Sequence, residues 1–350
     1  PGSAWLRRQR LLLGRADIGT IDAFCMQLLK QYFAKLDIPP DFTLAEDALA
    51  YSLRADALSQ ALEEAYADAD FRAFASLYGR ARSDGTAAGA VLDLYDFLRT
   101  LPHPRAALER FCADYEDGAP LMETAWGRVL LGAARDAAAS AQELLGSALS
   151  LVDAEPALAA YAPALESDRA FFTALEESLA AGRWDAAAVR AAGYKAPALR
   201  AVRGYEGGAM DAVKALRADA KKLLETLRDN ILICTEAEFS QDRAAIAPML
   251  RAAGRTALRF EELFFAAKLE EKALEYSDFE HLALRLLCTE DGQKTAVARA
   301  VSARYDAVMV DEYQDTNAIQ ALLYRCLAND DESNLFFVGD VKQSIYRFRL

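Results

Sequence analysis

The sequence has few of the residues that build disulfide frameworks and metal sites. Its 350 residues include five cysteines and two histidines, and no two cysteines stand in a C-x-x-C pair. An odd number of scattered cysteines predicts reduced thiols in a cytoplasmic protein. No apolar run approaches the ~20 residues needed to span a bilayer, and no signal-peptide pattern is present. The sequence therefore predicts no membrane partner.

Positive charge is also in short supply. The chain has 40 lysines and arginines against 53 acidic residues, which gives a net charge of -13. This balance argues against coating nucleic acid through bulk charge, because phosphate neutralisation needs a local cationic surplus. The two ends are more basic, since residues 1–16 hold four arginines and no acidic residue. A local basic groove is therefore compatible with the composition.

Glycine and proline are sparse between about residues 45 and 303, where alanine dominates. Alanine, leucine, glutamate, arginine and lysine favour helices, and apolar residues recur at helical spacing, as in Leu58, Leu62 and Ala65. This region predicts roughly ten or more packed helices.

The two ends of the chain differ from this helical middle. Short apolar runs stand at residues 18–21, 305–310 and 335–338. Short apolar runs that alternate with helices are typical of buried parallel strands. The pattern predicts a mainly α chain in which a large helical region interrupts an α/β layer, with strands near residues 20 and 310 in one sheet.

Residues 308–317 read VMVDEYQDTN. An apolar strand is predicted here, with two carboxylates, Asp311 and Glu312, directly after its C-terminal end. Open α/β sheets bind ligands at that end of their strands. Phosphoryl transfer uses one carboxylate to hold Mg²⁺ and another group to orient or deprotonate the attacking water. The alternative is a solvated acidic turn. Thr316 and Asn317 are predicted to cap a helix over residues 318–327.

Residues 338–349 read VGDVKQSIYRFR. A second strand end is followed by Gln343 and then by Tyr346 and Phe348, interleaved with Arg347 and Arg349. Aromatic faces stack on bases without reading sequence and arginines hold phosphates, which is the chemistry of single-strand binding. The alternative is the start of an amphipathic helix with core aromatics.

Together these segments resemble motifs II and III of superfamily 1 DNA helicases of the UvrD/Rep type. Residues 311–316, DEYQDT, resemble motif II, and residues 339–349 resemble motif III in the form GD-x-x-Q-S-I-Y-R-F-R. Residues 18–25, IGTIDAFC, resemble motif Ib, with Asp22 where histidine is commoner. Residues 271–282 resemble the DF-x-x-L segment that precedes motif II. The resemblance implies an incomplete α/β RecA-like P-loop NTPase domain with a large helical, 1B-type domain inserted into it.

The resemblance also implies roles for individual residues. Asp311 would be the Mg²⁺-associated acid, Glu312 the base for the hydrolytic water and Gln343 the γ-phosphate sensor, so ATP and Mg²⁺ are the implied cofactors. DNA contacts are implied for five residues: Thr20, Phe24, Tyr346, Phe348 and Arg349. Gln314 and Asp315 match the motif, but their spacing assigns them no role.

The resemblance divides the chain into four parts. Residues 1–3 are expected to be a protease-cleavage scar, residues 4–44 the first part of motor domain 1A, residues 45–270 the 1B domain, and residues 271–350 the return to domain 1A. No P-loop of the form G-x-x-x-x-G-K-[ST] occurs in the chain. The expectation is that the P-loop lies upstream and the second motor and nuclease domains downstream, so that the isolated chain neither hydrolyses ATP nor unwinds DNA.

Three further stretches are distinctive: residues 24–33 with 37–42, residues 82–84 with 94–102, and residues 341–343. In them the chain is most similar, within this family, to the AddA-type component of bacterial ATP-dependent helicase/nucleases. That likeness implies single-stranded DNA and double-stranded DNA ends as partners, a second subunit of the AddB type, and a role in recombinational repair. Two other interpretations remain open at this point. One is a non-catalytic helical scaffold with a motor remnant, and the other is a UvrD-like helicase without a nuclease.

Overall fold

A computed structural model describes residues 4–12, 14, 16–78, 85–205 and 207–343. Helix accounts for 73% of the structure and strand for 4%, which confirms the expected mainly α class. Within the described part of the chain, no helix is both long and apolar enough to cross a bilayer.

The described residues form fourteen α-helices. In chain order they are α1 (Ala4–Leu12), α2 (Ile21–Leu36), α3 (Asp47–Ala65), α4 (Ala69–Tyr78), α5 (Gly85–Arg99), α6 (Pro104–Glu116), α7 (Ala125–Ala154), α8 (Ala162–Ala180), α9 (Trp184–Gly193), α10 (Ala209–Thr226), α11 (Glu236–Glu270), α12 (Tyr276–Leu287), α13 (Ala296–Ser302) and α14 (Ala318–Leu327). Four short strands are β1 (Thr43–Leu44), β2 (Ala273–Leu274), β3 (Val308–Val310) and β4 (Leu335–Phe337), which form two parallel pairs.

The chain divides into two compact units, and one of them is Ala113–Ala247. Its core lies between α7, α8, α9 and α10. α7 presents a row of fully buried alanines at helical spacing, including Ala134, Ala138 and Ala141. Because alanine projects little beyond the backbone, the neighbouring helices can approach closely, and leucines such as Leu145 and Leu165 fill the remaining space.

The other unit comprises Pro1–Cys112 and Pro248–Leu350. One of its cores gathers residues of α2, α12 and α14, with Leu29, Phe42 and Phe279 nearly or fully buried. A second core packs α3, α4 and α5 against part of α11, around Phe71 and Phe260. This unit holds both strand pairs.

β1 and β2 bring the two ends of the long helical region together. Thr43 lies opposite Ala273 in parallel register, and the backbone N–H of Ala45 donates to the oxygen of Leu274 at 2.9 Å. The compact units divide elsewhere, at residues 112/113 and 247/248. The domain boundaries at residues 44/45 and 270/271 therefore stay a prediction.

The strand predicted around residues 18–21 is wrong. Residues 16–20 pair with no strand in the described part of the chain, Ile18 is 84% exposed, and α2 begins at Ile21. The reason is the side chain of Thr20, whose oxygen accepts the backbone N–H of Ala23 at 3.2 Å. This cap starts a helix where the β-branched residues alone favour a strand.

α12, which carries the predicted DF-x-x-L segment, holds a buried charge cluster. Lys268 and Asp278 form an ion pair at 2.6 Å, with side chains only 1% and 3% exposed. Arg99 adds a second contact to Asp278 at 3.1 Å. The Nε2 of His281 lies 2.9 Å from the backbone oxygen of Arg99. Since a carbonyl only accepts, this nitrogen carries the proton.

Candidate active site

The two strands that lead into the acidic and glutamine segments lie side by side. β3 and β4 pair in parallel, with Val308 opposite Leu335 and Val310 opposite Phe337. α14 connects them, so the chain forms a strand–helix–strand unit. Because parallel strands end at the same edge, the residues after β3 and β4 meet where α/β sheets bind ligands.

A chain of side-chain hydrogen bonds joins Glu312 to Gln343 across this edge. The Nε2 of Gln314 donates to Glu312 Oε2 at 2.5 Å, and the Oε1 of Gln314 accepts the backbone N–H of Asp340 at 3.0 Å. The Nε2 of Gln343 donates to Asp340 Oδ2 at 3.1 Å. The structure therefore brings together Glu312 and Gln343, which the sequence pattern placed far apart in the chain.

Gly339 permits the close approach of the two segments. A Cβ built on Gly339 would lie 2.6 Å from the Oε1 of Gln314 and 3.1 Å from its backbone nitrogen. Both distances are shorter than a carbon atom usually keeps from polar atoms. A side chain at position 339 would therefore displace Gln314, whose amide forms the bridge between Glu312 and Asp340. Sequence reasoning matched Gln314 to the motif but assigned it no role, although an amide with donor and acceptor groups is suited to such a bridge.

The two carboxylates after β3 differ in backbone conformation. Glu312 has φ 52°, in the left-handed region that non-glycine residues rarely adopt. The backbone N–H of Glu312 donates to Asp311 Oδ1 at 2.9 Å. Both residues are exposed. Strained backbone of this kind is concentrated at functional sites, and here it turns Glu312 towards Gln314.

The donor set fits Mg²⁺ held partly by a nucleotide. Among the residues that the structure describes, no three His, Cys, Asp or Glu side chains form a metal-binding group. Mg²⁺ commonly keeps several waters and binds through one or two carboxylates plus substrate phosphates. Asp311 is exposed and keeps one carboxylate oxygen outside its hydrogen bond to Glu312, so it can serve as such a ligand.

Tyr313 and Asp315 follow Glu312 in the segment after β3, and their contacts differ. The ring of Tyr313 stacks on Phe337 with centroids 4.1 Å apart, and its backbone N–H donates to Val338 at 2.8 Å. The Oδ1 of Asp315 is buried and accepts no hydrogen bond from the described residues. The buried Oδ1 of Asp315 is therefore an acceptor without a donor among the described residues.

The start of α14 is fixed by a buried acid that sequence reasoning did not single out. Asn317 caps the helix, as predicted, and α14 covers the predicted residues. Glu280 on α12 accepts hydrogen bonds from Asn317 Nδ2 at 3.3 Å and from Gln320 Nε2 at 2.6 Å. Burial raises the pKa of Glu280, and these two donors partly oppose the shift.

Thr20 and Phe24 lie beside β3. Together with Asp311 they line a cavity of about 520 Å³ between residues 16–27 and β3. The ring of Phe24 packs edge-on against Tyr305 at 6.4 Å. Burial raises the pKa of Asp22, the residue that departs from the motif. Tyr346, Phe348 and Arg349 lie outside the described residues.

The sequence matches the UvrD/REP helicase N-terminal domain over residues 6–350. The chain belongs to the UvrD/REP helicase family. The match includes the ends of β3 and β4 as well as the segment with Thr20, so the whole candidate site lies within the UvrD/REP domain.

Individual relatives are named as the A-subunits of bacterial ATP-dependent helicase/nucleases. The chain is 35% identical over 364 aligned residues to the protein of that name from Geobacillus thermodenitrificans, and the alignment covers 100% of this chain and 29% of that protein. It is 36% identical over 372 residues to the protein of the same name from Desulforudis audaxviator, with 100% of this chain and 30% of that protein covered. This UvrD/REP chain therefore spans less than a third of the length of these relatives.

Proposed function

We propose that the chain is part of the motor of an ATP-dependent DNA helicase/nuclease subunit. The whole protein would unwind and process double-stranded DNA ends for recombinational repair in the cytoplasm, together with a second subunit of the AddB type. One observation carries the proposal, namely the hydrogen-bonded chain from Glu312 through Gln314 and Asp340 to Gln343. It links the carboxylate that faces the hydrolytic water to the amide that senses the terminal phosphate.

The proposed roles are those that the resemblance to helicase motifs implies, and the positions of the side chains are compatible with them. Asp311 would hold Mg²⁺ through the carboxylate oxygen outside its bond to Glu312, and Mg²⁺ there would neutralise charge on the nucleotide phosphates. Glu312 accepts a proton from the attacking water. Among the described residues, the side chain of Glu312 is contacted by the amide of Gln314.

The bridge also suggests how the site communicates. The amide of Gln343 has two N–H donors, and one of them donates to Asp340 Oδ2. A phosphate that drew this amide towards itself would change its contact with Asp340, whose backbone N–H donates to Gln314. Tyr346 and Phe348, proposed to stack on single-stranded DNA, follow Gln343 within five residues in the sequence. Phosphate sensing and DNA contact would thus share one short segment, which ends at Arg349.

The insertion of a 1B-type domain into motor domain 1A is part of the same proposal. The pairing of β1 with β2 supports it, because residues 43–45 and 272–274 are held together by ladder hydrogen bonds. A chain that leaves and re-enters a domain at adjacent strands encloses an insertion between them. Thr20 and Phe24, which precede the insertion, are proposed to lie along the DNA backbone.

The decisive experiment measures DNA-stimulated ATP hydrolysis by a full-length protein that contains this chain. The Glu312→Gln variant keeps the size of the side chain but removes the base, and we expect kcat to fall by at least about a hundredfold. The exposed Glu271→Gln variant, outside the site, is the matched control and should keep wild-type turnover.

The outcomes separate the competing interpretations. Equal turnover of wild type and the Glu312→Gln variant would refute the assigned base. No Mg²⁺-dependent turnover in the full-length wild-type protein would favour a scaffold with a motor remnant. The chain of 350 residues tested alone is expected to show no turnover, since it contains no P-loop.

A further inference from the structure

Between α9 and α10 the chain runs through residues 194–205 without helix or strand. We call this segment the basic strap. It belongs to the unit Ala113–Ala247, which carries 21 acidic and 14 basic residues. Against that background, residues 194–205 hold three basic residues and no acidic one. Positive charge is therefore concentrated on one segment of an acidic unit.

The strap separates its apolar side chains from its basic ones. Its half-buried side chains pack against the core of the unit: Tyr194, Leu199, Val202 and Tyr205. An exposed base directly follows three of these residues: Lys195, Arg200 and Arg203. Because each base is exposed while the apolar residue before it packs on the core, the bases face solvent.

A buried ion pair fixes the first half of the strap. The Nε of Arg217 donates to Asp168 Oδ2 at 2.6 Å, and its Nη2 donates to the backbone oxygen of Pro197 at 2.5 Å. The hydroxyl of Tyr194 donates to Asp168 at 2.6 Å, and its ring stacks on Phe171 at 3.8 Å. The side chains of Arg217 and Asp168 are only 5% and 4% exposed.

A second arginine holds the start of the strap by its backbone. The Nη2 of Arg228 donates to the oxygens of Ala191 and Tyr194 at 3.0 and 3.1 Å. The guanidinium groups of Arg217 and Arg228 thus both donate to backbone carbonyls at or next to the strap. The strap is held in one conformation before any ligand arrives, which lowers the entropic cost of binding to it.

Within the described part of the chain, no ion pair involves Lys195, Arg200 or Arg203. Their neighbourhood in sequence also lacks aromatic platforms, because Tyr194 and Tyr205 are turned into the core. Single strands are typically held by exposed aromatic rings, whereas the backbone of a duplex is held by Lys and Arg contacts to phosphate.

We propose that the basic strap is a contact surface for the phosphate backbone of double-stranded DNA. The proposal rests on the proposed function, which supplies DNA as the substrate, and adds a surface to it. The bases at positions 195, 200 and 203 each neutralise a phosphate without reading the base sequence. The buried pair of Arg217 and Asp168 acts as the support that presents them.

The test measures binding of this chain to a blunt duplex of random sequence by fluorescence anisotropy, from 50 to 200 mM salt. The variant combines Lys195→Ala, Arg200→Ala and Arg203→Ala. The slope of log affinity against log salt should fall in magnitude by about three, one for each lost phosphate contact. At the lowest salt, affinity for the duplex should fall roughly tenfold or more.

The control variant removes the same charge elsewhere on the unit. It combines Arg128→Ala, Arg135→Ala and Arg169→Ala, all at exposed positions, and should change the salt slope by less than one. A third variant, Lys195→Arg with Arg200→Lys and Arg203→Lys, keeps the charge and should keep the slope. Unchanged circular dichroism spectra would show that all three variants are folded.

Three results would overturn the proposal. If the strap and control variants weaken duplex binding equally, the strap has no special role, while DNA binding itself still stands. If the strap variant loses affinity for a single strand of the same length as strongly as for the duplex, the assignment to duplex is wrong. If the wild-type chain binds no duplex at 50 mM salt, both this surface and DNA binding by the chain fail.

Discussion

The side-chain oxygen of Gln314 accepts the backbone N–H of Asp340 at 3.0 Å. Together with the bond from the backbone N–H of Tyr313 to Val338, it connects the segment after β3 to the segment after β4. The other end of the same amide holds Glu312, so a displacement of Asp340 reaches the carboxylate of Glu312 through a single side chain. The bridge is therefore the point at which the geometry of the proposed site is most easily tested.

Replacement of Gly339 by alanine should break this bridge. The added Cβ would lie 2.6 Å from Gln314 Oε1, and displacing this side chain would break its hydrogen bond to Asp340, at a cost of roughly 0.5–1.5 kcal/mol of stability. Urea unfolding of the chain measures the loss. Gly132→Ala is the matched control, since nothing lies within 4 Å of its Cβ, and alanine in a helix should leave stability unchanged or raise it. Equal stability of both variants would contradict the prediction.

Part of this site could be predicted from sequence and part could not. The ends of β3 and β4 and the cap at Asn317 follow from local patterns, because apolar runs, acids and capping residues act over a few positions. The bridge from Gln314 depends on the register of two strands, and the contacts of Glu280 with Asn317 join residues 37 positions apart. Such pairings are set by tertiary packing, which single-sequence patterns do not contain.

The error at residues 18–21 has a local cause. Ile18 and Ile21 favour a strand, but Thr20 between them is also a good N-cap, and both tendencies fit the same four residues. In the structure the cap prevails at Thr20. The cavity between this segment and β3 lies where a strand was expected to pair.

The stability of the chain should depend on the protonation of His281. Burial lowers the pKa of His281 from its ordinary 6.5 to about 4, and the nearby Arg99 adds to the shift. The unfolded chain therefore binds the proton more readily, and stability falls as pH drops from about 6.5 towards 4. Between pH 7 and pH 5 the loss is roughly 2 kcal/mol.

The His281→Gln variant isolates this effect. Glutamine keeps an N–H donor for the backbone oxygen of Arg99 but does not titrate. Urea unfolding of the variant at pH 7 and pH 5 should therefore show a smaller loss of stability than the wild type shows. Identical pH dependence of the two proteins would mean that other groups govern the acid sensitivity.

The buried ion pair of Lys268 and Asp278 should contribute more to the free energy of unfolding than the exposed pair of Lys272 and Asp41. In the Asp278→Asn variant the buried Lys268 keeps only Glu275 as an acidic partner, at 2.8 Å, so the loss should lie at or below the lower end of the roughly 3–5 kcal/mol that breaking a buried pair costs. The exposed pair of Lys272 with Asp41, also at 2.6 Å, provides the control, since solvent screens a surface pair and leaves it little effect on stability. Asp41→Asn should thus unfold at nearly the wild-type urea concentration, and a similar loss in both variants would contradict the role of burial.

The Asn317→Asp variant should be destabilising although aspartate is normally as good an N-cap as asparagine. Its carboxylate would stand in place of the Nδ2 group that donates to Glu280 at 3.3 Å, so two acids would face each other. Burial already raises the pKa of Glu280, and the new charge would raise it further.

The sign of the pH dependence follows from that shift. A group whose pKa is raised on folding stabilises the folded state when it is protonated, so the penalty of Asn317→Asp should be largest at pH 7 and smaller at pH 5. Asn317→Ser keeps the cap without a charge, and its deficit relative to wild type should not change between these two pH values. Urea unfolding of the three proteins at both pH values measures the difference. A penalty for Asn317→Asp that is the same at both pH values would show that Glu280 does not sense the residue at the start of α14.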